Sequence, residues 1–334
     1  MRRSLQKEDK IYWLTWENHR RSRELAKAIN AELIVYENAL PGLISLANKA
    51  LLTILFIFKH KPRVLIIQNP SIILGFLASI LRLIFAYKLI VDRHTNFRIG
   101  KCIGLNPRSL VHAFFSRFNI KYSDLTIVTN EFLRLYVEKH GGNGFVLQDK
   151  LPTLDHKNTS VELQGDVNIV FICTYANDEP VKEVIKAGEY LPQSIYIYIT
   201  GNPDPKKVGE IRSSNIILTG FLNQQDYDGL LCKADILMDF TNLEWCLVCG
   251  AYEAISLEKP LITSDTLALK DFLEDAAVYT DHSPKSIAGS IKKVIRENKV
   301  YKENISNFRY NYMTYWQNRL NFLQKILNGF LRDI

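Results

Sequence analysis

ADILMDFTNLEWCLVCGAYEAISLEKPLITSD, running from Ala234 to Asp265, decides the fold. Ile236 to Phe240 and Pro260 to Thr263 are apolar runs of strand length. Between them, Trp245 to Leu257 carries helix-length patterning, with Val248, Tyr252, Ile255 and Leu257 available for burial. Strand, polar loop, helix, strand is the grammar of a parallel α/β unit. In such sheets ligands sit beyond the carboxyl ends of the strands. The loop Thr241 to Glu244 therefore occupies the ligand edge, and Cys249, Gly250 and Ala251 lie in the first helical turns. A residue as small as Gly250 lets backbone N–H groups approach a phosphate, which the positive helix end favours. Glu253, one turn on, has two acceptor oxygens with which to reach a ribose diol.

The rest of the chain follows the same grammar. Strands are expected at 11–16, 31–36, 63–68, 88–91, 124–129 and 145–148, and again at 167–173, 195–200, 216–219 and 277–279. Helices are expected at 22–29, 43–58, 71–84, 131–140, 180–190, 286–297 and 310–331, with Pro70 opening the third. Asp149 to Gly165 is polar and without periodicity, and reads as a linker between residues 1–150 and the second set, 151–310. A chain of 334 residues is long enough for two such cores.

Five cysteines are too few for a disulfide framework. Cys246 and Cys249 form a lone C-x-x-C, read as small buried side chains near a ligand rather than as zinc or redox ligands. No metal-ligand spacing is visible. Ser71 to Val91 is apolar, but Arg82 inside it argues against a membrane span. No apolar signal region follows the charged start. The net charge of +7 is uneven: residues 1–150 hold 23 Lys and Arg against 11 Asp and Glu, so this half is expected to face something anionic. Nucleic acid and an anionic membrane surface are the two candidates.

Several places in the first half can serve either. The loop Glu17 to Arg21 is a solvated turn before a helix starting at Ser22, or an acceptor-facing loop with Arg20 and Arg21 on phosphate and Glu17 or His19 as base. The apolar helix Leu43 to Phe58, ending in Lys59, His60 and Lys61, is core or lies in a membrane interface. Asp92-x-His94 puts two side chains on one side of an extended chain, so Asp92 orients His94, or the histidine is structural. Phe114, Phe115 and Phe118, interleaved with basic residues, suit single-stranded nucleic acid, a bilayer interface or plain helix packing.

The run from Glu244 to Asp265 resembles the donor-binding core of GT-B glycosyltransferases: an acidic residue, a small-residue turn and a second glutamate before A-x-x-x-x-K-P-x-I-x-S-D, here Ala254 to Asp265. The common retaining pattern has seven residues between its glutamates; Glu244 and Glu253 have eight, and Trp245 stands where seven would fall. The run IIQNPS through KLIVDRHTN resembles the acceptor domain of glycosyltransferases that use lipid-diphosphate sugars, with Thr95 where an asparagine is expected and Asn96 displaced by one. The resemblance implies an α/β protein of the GT-B fold, two Rossmann-like domains whose parallel sheets face across a cleft, with residues 311–334 as a helix crossing back to the first domain and Trp316 as its anchor. It implies donor contacts at Thr174, Gly201, Asn202, Phe221, Glu244, Cys249, Gly250, Ala251 and Glu253. The basic pair that grips the diphosphate is missing near Thr174, with Lys182 the nearest substitute. The catalytic candidates are Glu17, His19, Asp92 and His94, and the acceptor contacts Arg20 and Arg21.

The expected function is transfer of a sugar from a nucleotide-sugar donor to a lipid-linked or glycan acceptor, in cell-surface polysaccharide or glycoconjugate synthesis. The enzyme is expected to be hexosyltransferase-like, with no cofactor or metal, peripheral to the cytoplasmic membrane face, and without a nucleic-acid partner. A non-catalytic nucleotide-sugar-binding protein, an epimerase of the same fold and a nucleic-acid-binding protein are the rival readings.

Overall fold

The computed structural model describes residues 10–69, 71–94, 107–154 and 159–332, with 107–109 described by backbone alone. The expectations for Pro70, Thr95 and Asn96 lie outside these residues. The chain divides into two compact units, Met1–Lys150 with Tyr315–Ile334, and Leu151–Thr314.

Unit 1 holds six strands: β1 (Ile11–Thr15), β2 (Glu32–Val35), β3 (Val64–Gln68), β4 (Lys88–Asp92), β5 (Leu125–Val128) and β6 (Gly144–Val146). They form one wholly parallel sheet in the order β2-β1-β3-β4-β5-β6. β1 and β3 are buried along their length, as continuous apolar runs in a sheet covered on both faces require. The helices are α1 (Arg20–Ala28), α2 (Gly42–His60), α3 (Ile72–Arg82), α4 (Pro107–Tyr122) and α5 (Glu131–Lys139). α1 starts before Ser22: His19 is its N-cap, with Nδ1 accepting from the backbone of Arg21, and the Ser22 hydroxyl turns inward to Gln68.

Unit 2 repeats the plan with β7 (Val167–Phe171), β8 (Ile195–Thr200), β9 (Ile216–Gly220), β10 (Ile236–Asp239), β11 (Leu261–Ser264) and β12 (Ala277–Thr280). This sheet is also parallel throughout, in the order β12-β11-β10-β7-β8-β9. Its helices are α6 (Val181–Ala187), α7 (Pro205–Val208), α8 (Gln224–Lys233), α9 (Cys249–Leu257), α10 (Leu267–Leu273), α11 (Pro284–Arg296) and α12 (Asn298–Arg332). α9 begins at Cys249, so Trp245 to Val248 extend the preceding loop instead of the helix. α12 begins at Asn298 rather than Tyr310, because no glycine or proline interrupts it before Gly329. Its last residues belong to unit 1, where Trp316 Nε1 donates to Gln148 O at 3.0 Å and Arg319 Nε to Val146 O at 3.0 Å.

One side of α2, at Thr53, Phe56 and Ile57, is buried, and Trp16 Nε1 donates to Thr53 Oγ1 at 3.0 Å. Much of the remainder is exposed and apolar, including Leu43 at 82% and Phe58 at 63%. Among the described residues α2 is the one helix long and apolar enough to cross a membrane; α3 is too short. The phenylalanines of α4 pack on α3: Phe76 has its ring centroid 4.2 Å from that of Phe115 and 5.0 Å from that of Phe118.

Arg21 is buried completely inside unit 1. Its Nε and Nη2 donate to Asp92 Oδ1 at 3.0 and 2.8 Å, its Nη1 donates to Asp149, and Nη2 also reaches Leu147 O at 2.9 Å. Burial opposes ionisation of Asp92, but the Arg21 charge and the neighbouring His94 outweigh it and lower the carboxyl to about 2. A folded pKa below the ordinary value means that this carboxylate stabilises the fold above roughly pH 4, and that the contribution is lost as pH falls toward 2. Arg21→Met should therefore cost about 3–5 kcal/mol at neutral pH, by leaving two buried carboxylates without their cation. Asp92→Asn should remove the part of the acid dependence over that window that this carboxylate supplies. Chemical denaturation as a function of pH reads both.

Candidate functional site

The chain enters the sheet of unit 2 at β7, adds β8 and β9 on one side, then crosses to build β10, β11 and β12 on the other. The reversal falls between β7 and β10, and beyond their carboxyl ends lies the crevice where open α/β sheets hold ligands. The two loops there are tied together: the Thr241 hydroxyl donates to Asp178 Oδ2 at 2.6 Å, and Asn242 N donates to Asp178 O at 2.8 Å. Thr241 N donates to Ser264 Oγ at 2.8 Å; that hydroxyl meets His282 Nε2 at 2.8 Å, and His282 Nδ1 lies 2.8 Å from Asn242 Oδ1. An Nδ1–H tautomer satisfies all of these bonds. Burial lowers the pKa of His282, which favours this neutral form.

At the start of α9, Gly250 N donates to Asp239 Oδ2 at 2.7 Å. The glycine is needed here for the approach of this carboxylate, since a Cβ would stand 2.6 Å from both Asp239 Oδ2 and Ile172 Cδ1. Expected to face a phosphate, that N–H is instead taken by the carboxyl group of Asp239. Asp239 is held well above the usual carboxylate range by burial, and then by the nearby Glu253, Glu179 and Asp178, with the Gly250 bond opposing. Ala251 is buried and its N–H turns back to Val248 O. Cys249 is exposed and Cys246 half-buried, so the pair is not the buried one expected. Glu253 is buried in the second turn and accepts from the Tyr227 hydroxyl of α8 at 2.8 Å.

Two expected donor contacts make bonds within the protein. Glu244 Oε1 accepts from Leu267 N and so satisfies the first turn of α10, a helix end that attracts negative charge. The N–H and hydroxyl of Thr174 both go to Glu179, at 3.0 and 2.8 Å, and Ala176 N adds a third bond at 2.8 Å. Glu179 thereby closes the loop after β7 on itself. Gly201, at φ +88°, turns the chain so tightly that a Cβ would stand 2.3 Å from Cys173 O. Asn202 is exposed, and Phe221, following Gly220 at φ +70°, is 78% exposed. The cation that reaches the β7 loop is Lys207 of α7, whose amino group donates to Tyr175 O, rather than Lys182, which is exposed on α6. The Asp204-Pro205 cap followed by two lysines was its signal in the sequence.

In unit 1 the reversal falls between β1 and β3. The hydroxyls of Thr15 and Ser22 both donate to Gln68 Oε1, at 2.6 and 2.7 Å. Gln68 Nε2 and Asn69 Nδ2 stay buried there with no hydrogen-bond partner among the described residues. Arg21 and Asp92 are committed to each other, so neither is an acceptor ligand or a base. His19 spends Nδ1 on the α1 cap, which leaves Nε2 carrying the proton; burial, then the adjacent His94, lowers its pKa to about 4. It can donate, not abstract. His94 stacks on it with centroids 4.9 Å apart, and its Nδ1 is 3.7 Å from Asp92 Oδ2, longer than a hydrogen bond. Arg20, the first residue of α1, is half-buried. Glu17 is exposed, and its carboxylate has no protein partner among the described residues.

No protein-family model and no curated protein matches the sequence. Solved structures do match in fold. A sucrose-phosphate synthase from Thermosynechococcus elongatus superposes with a TM-score of 0.74 at 12% identity, covering 97% of this chain and 100% of that one. Anabaena HepE, in complex with UDP-glucose, gives 0.70 at 12% identity, with the same two coverages. A putative UDP-N-acetylglucosamine 2-epimerase from Listeria monocytogenes gives 0.63 at 12%, covering 89% and 91%. The chain has the GT-B fold.

Gly250→Ala should cost about 1–3 kcal/mol, because the added methyl displaces a buried carboxylate and a core methyl together. Gly289→Ala, in α11 with nothing within 4 Å of its Cβ, should instead stabilise by roughly 0.5–1 kcal/mol. Unfolding midpoints of the two variants test the contrast.

Proposed function

We propose that the protein is a glycosyltransferase that moves a sugar, a hexose in our reading, from a nucleotide-sugar to a lipid-linked or glycan acceptor. The observation that carries this is the convergence, at the reversal of the unit 2 sheet, of the α9 N-terminus with a buried glutamate one turn inside it. The nucleobase lies against Phe221 and the turn Gly201-Asn202, and Glu253 takes the ribose hydroxyls. Lys207 and the exposed end of α9 at Cys249 offset the charge of the diphosphate. A uridine nucleotide is the first donor to try, since HepE was solved with UDP and with UDP-glucose. No metal or cofactor enters this reading.

The acceptor belongs to unit 1. Of the four catalytic candidates, Glu17 has an open and unengaged carboxylate, and it is the base if transfer inverts the anomeric centre. The exposed apolar side of α2, ending in Lys59, His60 and Lys61, suits the surface of an anionic membrane on its cytoplasmic side, where lipid-linked acceptors for polysaccharide or glycoconjugate synthesis are used. Nucleic acid is disfavoured because two of the three phenylalanines available for base stacking, Phe115 and Phe118, pack against Phe76 of α3, which leaves Phe114 alone exposed.

Calorimetry with UDP and UDP-glucose tests the donor half. Glu253→Gln should weaken UDP binding by about 1–3 kcal/mol, the scale of a lost charge-assisted hydrogen bond; unchanged affinity in a folded variant removes Glu253 from the site. Incubation with a UDP-sugar alone separates transfer from epimerisation, because conversion without an acceptor marks an epimerase. Sedimentation with anionic vesicles should show binding that weakens with salt and falls further in Leu43→Asp with Phe58→Asp. Equal binding to neutral and anionic vesicles would count against the charged component.

A further inference from the structure

Beyond the carboxyl ends of β1 and β2 lies a shallow cavity, wide open to solvent and of about 540 Å³, lined by Trp16, Glu17, Glu37, Asn38, Ala39 and Lys49. Neither Glu37, Asn38 nor Lys49 takes part in the reading given above. Trp16 forms a fixed wall, held by its bond to the buried Thr53 hydroxyl. Three features show unused hydrogen-bonding capacity. Asn38 Oδ1 accepts from Leu40 N at 3.2 Å, but its Nδ2 is buried with no partner among the described residues. A buried donor without an acceptor is uncommon enough in folded proteins to call for a partner from outside. Glu37 spends Oε1 on the backbone N–H of Asn18, which leaves Oε2. Lys49 Nζ makes one long bond, 3.4 Å, to Trp16 O, and an ammonium has three protons to give.

The charge of the lining selects among ligands. Glu17 and Glu37 set two carboxylates against the one ammonium of Lys49, so a phosphate in this cavity meets net repulsion. A polyol does not: each hydroxyl both donates, to the carboxylates, and accepts, from Lys49 and Asn38. From Ala39 the chain passes into exposed apolar residues at Leu40, Leu43 and Ile44. We infer that this cavity binds the neutral, hydroxyl-rich head of an amphiphile, with the apolar residues that lead into α2 taking its alkyl chain. This rests on the acceptor half of the reading above and deepens it: the group presented to Glu17 is a sugar carried on a hydrophobic chain, recognised by its hydroxyls rather than by a phosphate.

The test uses the full chain and three soluble probes below any micelle concentration: hexyl β-maltoside, maltose and hexyl phosphate. Titration calorimetry should show hexyl β-maltoside binding at least about tenfold more tightly than maltose, since several methylenes leave water. Hexyl phosphate should bind more weakly than the maltoside. Glu37→Gln and Lys49→Gln should each weaken the maltoside by about three- to tenfold, the size of one lost hydrogen bond, while affinity for UDP stays unchanged. Both variants are checked for an unaltered unfolding midpoint, and Glu37, being exposed, tolerates the change if Lys49 does not. Equal binding of the phosphate and the maltoside, or full maltoside binding in both variants, would mean non-specific uptake on the apolar side of α2 and overturn the inference. Loss of UDP binding everywhere with the maltoside result intact would instead remove the transferase reading and leave the cavity standing.

Discussion

Unit 1 depends on a guanidinium that never meets water. Arg21 sits in the first turn of α1 and its partners sit at the far ends of other elements: Asp92 closes β4, and Leu147 and Asp149 follow β6. An unpaired charge in that position would cost several kcal/mol, so the fold is stable only when all three arrive together. Much of the local geometry follows. The start of α1 is drawn forward to His19, whose ring must cap the helix, and His94 is placed to stack upon it. What looks in the sequence like a set of available catalytic groups is mostly the frame that holds the sheet edge, and the reactive capacity is displaced outward, to Glu17 and the cavity beside it.

Unit 2 solves the same problem with the opposite charge. At its sheet edge the backbone N–H groups that a phosphate would use are already met by carboxylates: Asp239 at the start of α9, Glu179 in the loop after β7, Glu244 at the start of α10. Crowding of Asp239, Glu179, Asp178 and Glu253 favours keeping a proton on the buried Asp239. Under the proposed function, a diphosphate at this edge would meet Lys207, whose amino group donates to Tyr175 O in the β7 loop. On that proposal, binding leans on the nucleoside, through Glu253 and Phe221, more than on the phosphates.

Two parallel sheets of six strands do not by themselves name a reaction, and structures that superpose on the chain include a synthase and an epimerase. What separates such activities is the second binding site. For this protein that question turns on the edge of unit 1, where Gln68 and Asn69 keep buried donors in reserve and Glu17 keeps its carboxylate.

The strands were legible from the sequence because a sheet covered on both faces demands apolar runs, and most of the twelve appear where Ile, Val and Leu cluster, while β6 and β12 are carried by Phe145-Val146 and Val278-Tyr279. The alternation of strand and helix determined two parallel sheets, and Ala234 to Asp265 located the ligand edge of the second. α7, α8 and α10 are absent from the sequence expectations: α7 and α10 are one or two turns long, and α8 has a mixed face whose signal is the cap at Asn223, which accepts from Asp226 N. What the sequence could not determine was which polar residues spend their hydrogen bonds inside the protein. Arg21, Asp92, Thr174, Gly250 and Glu244 have the chemistry of ligand-binding groups, and nothing local distinguishes them from groups that do bind. Their partners lie 71, 71, 5, 11 and 23 residues away in the chain. Only the folded arrangement brings each pair within 3 Å or so, and an N–H or guanidinium that has found an internal carboxylate is no longer available to a ligand.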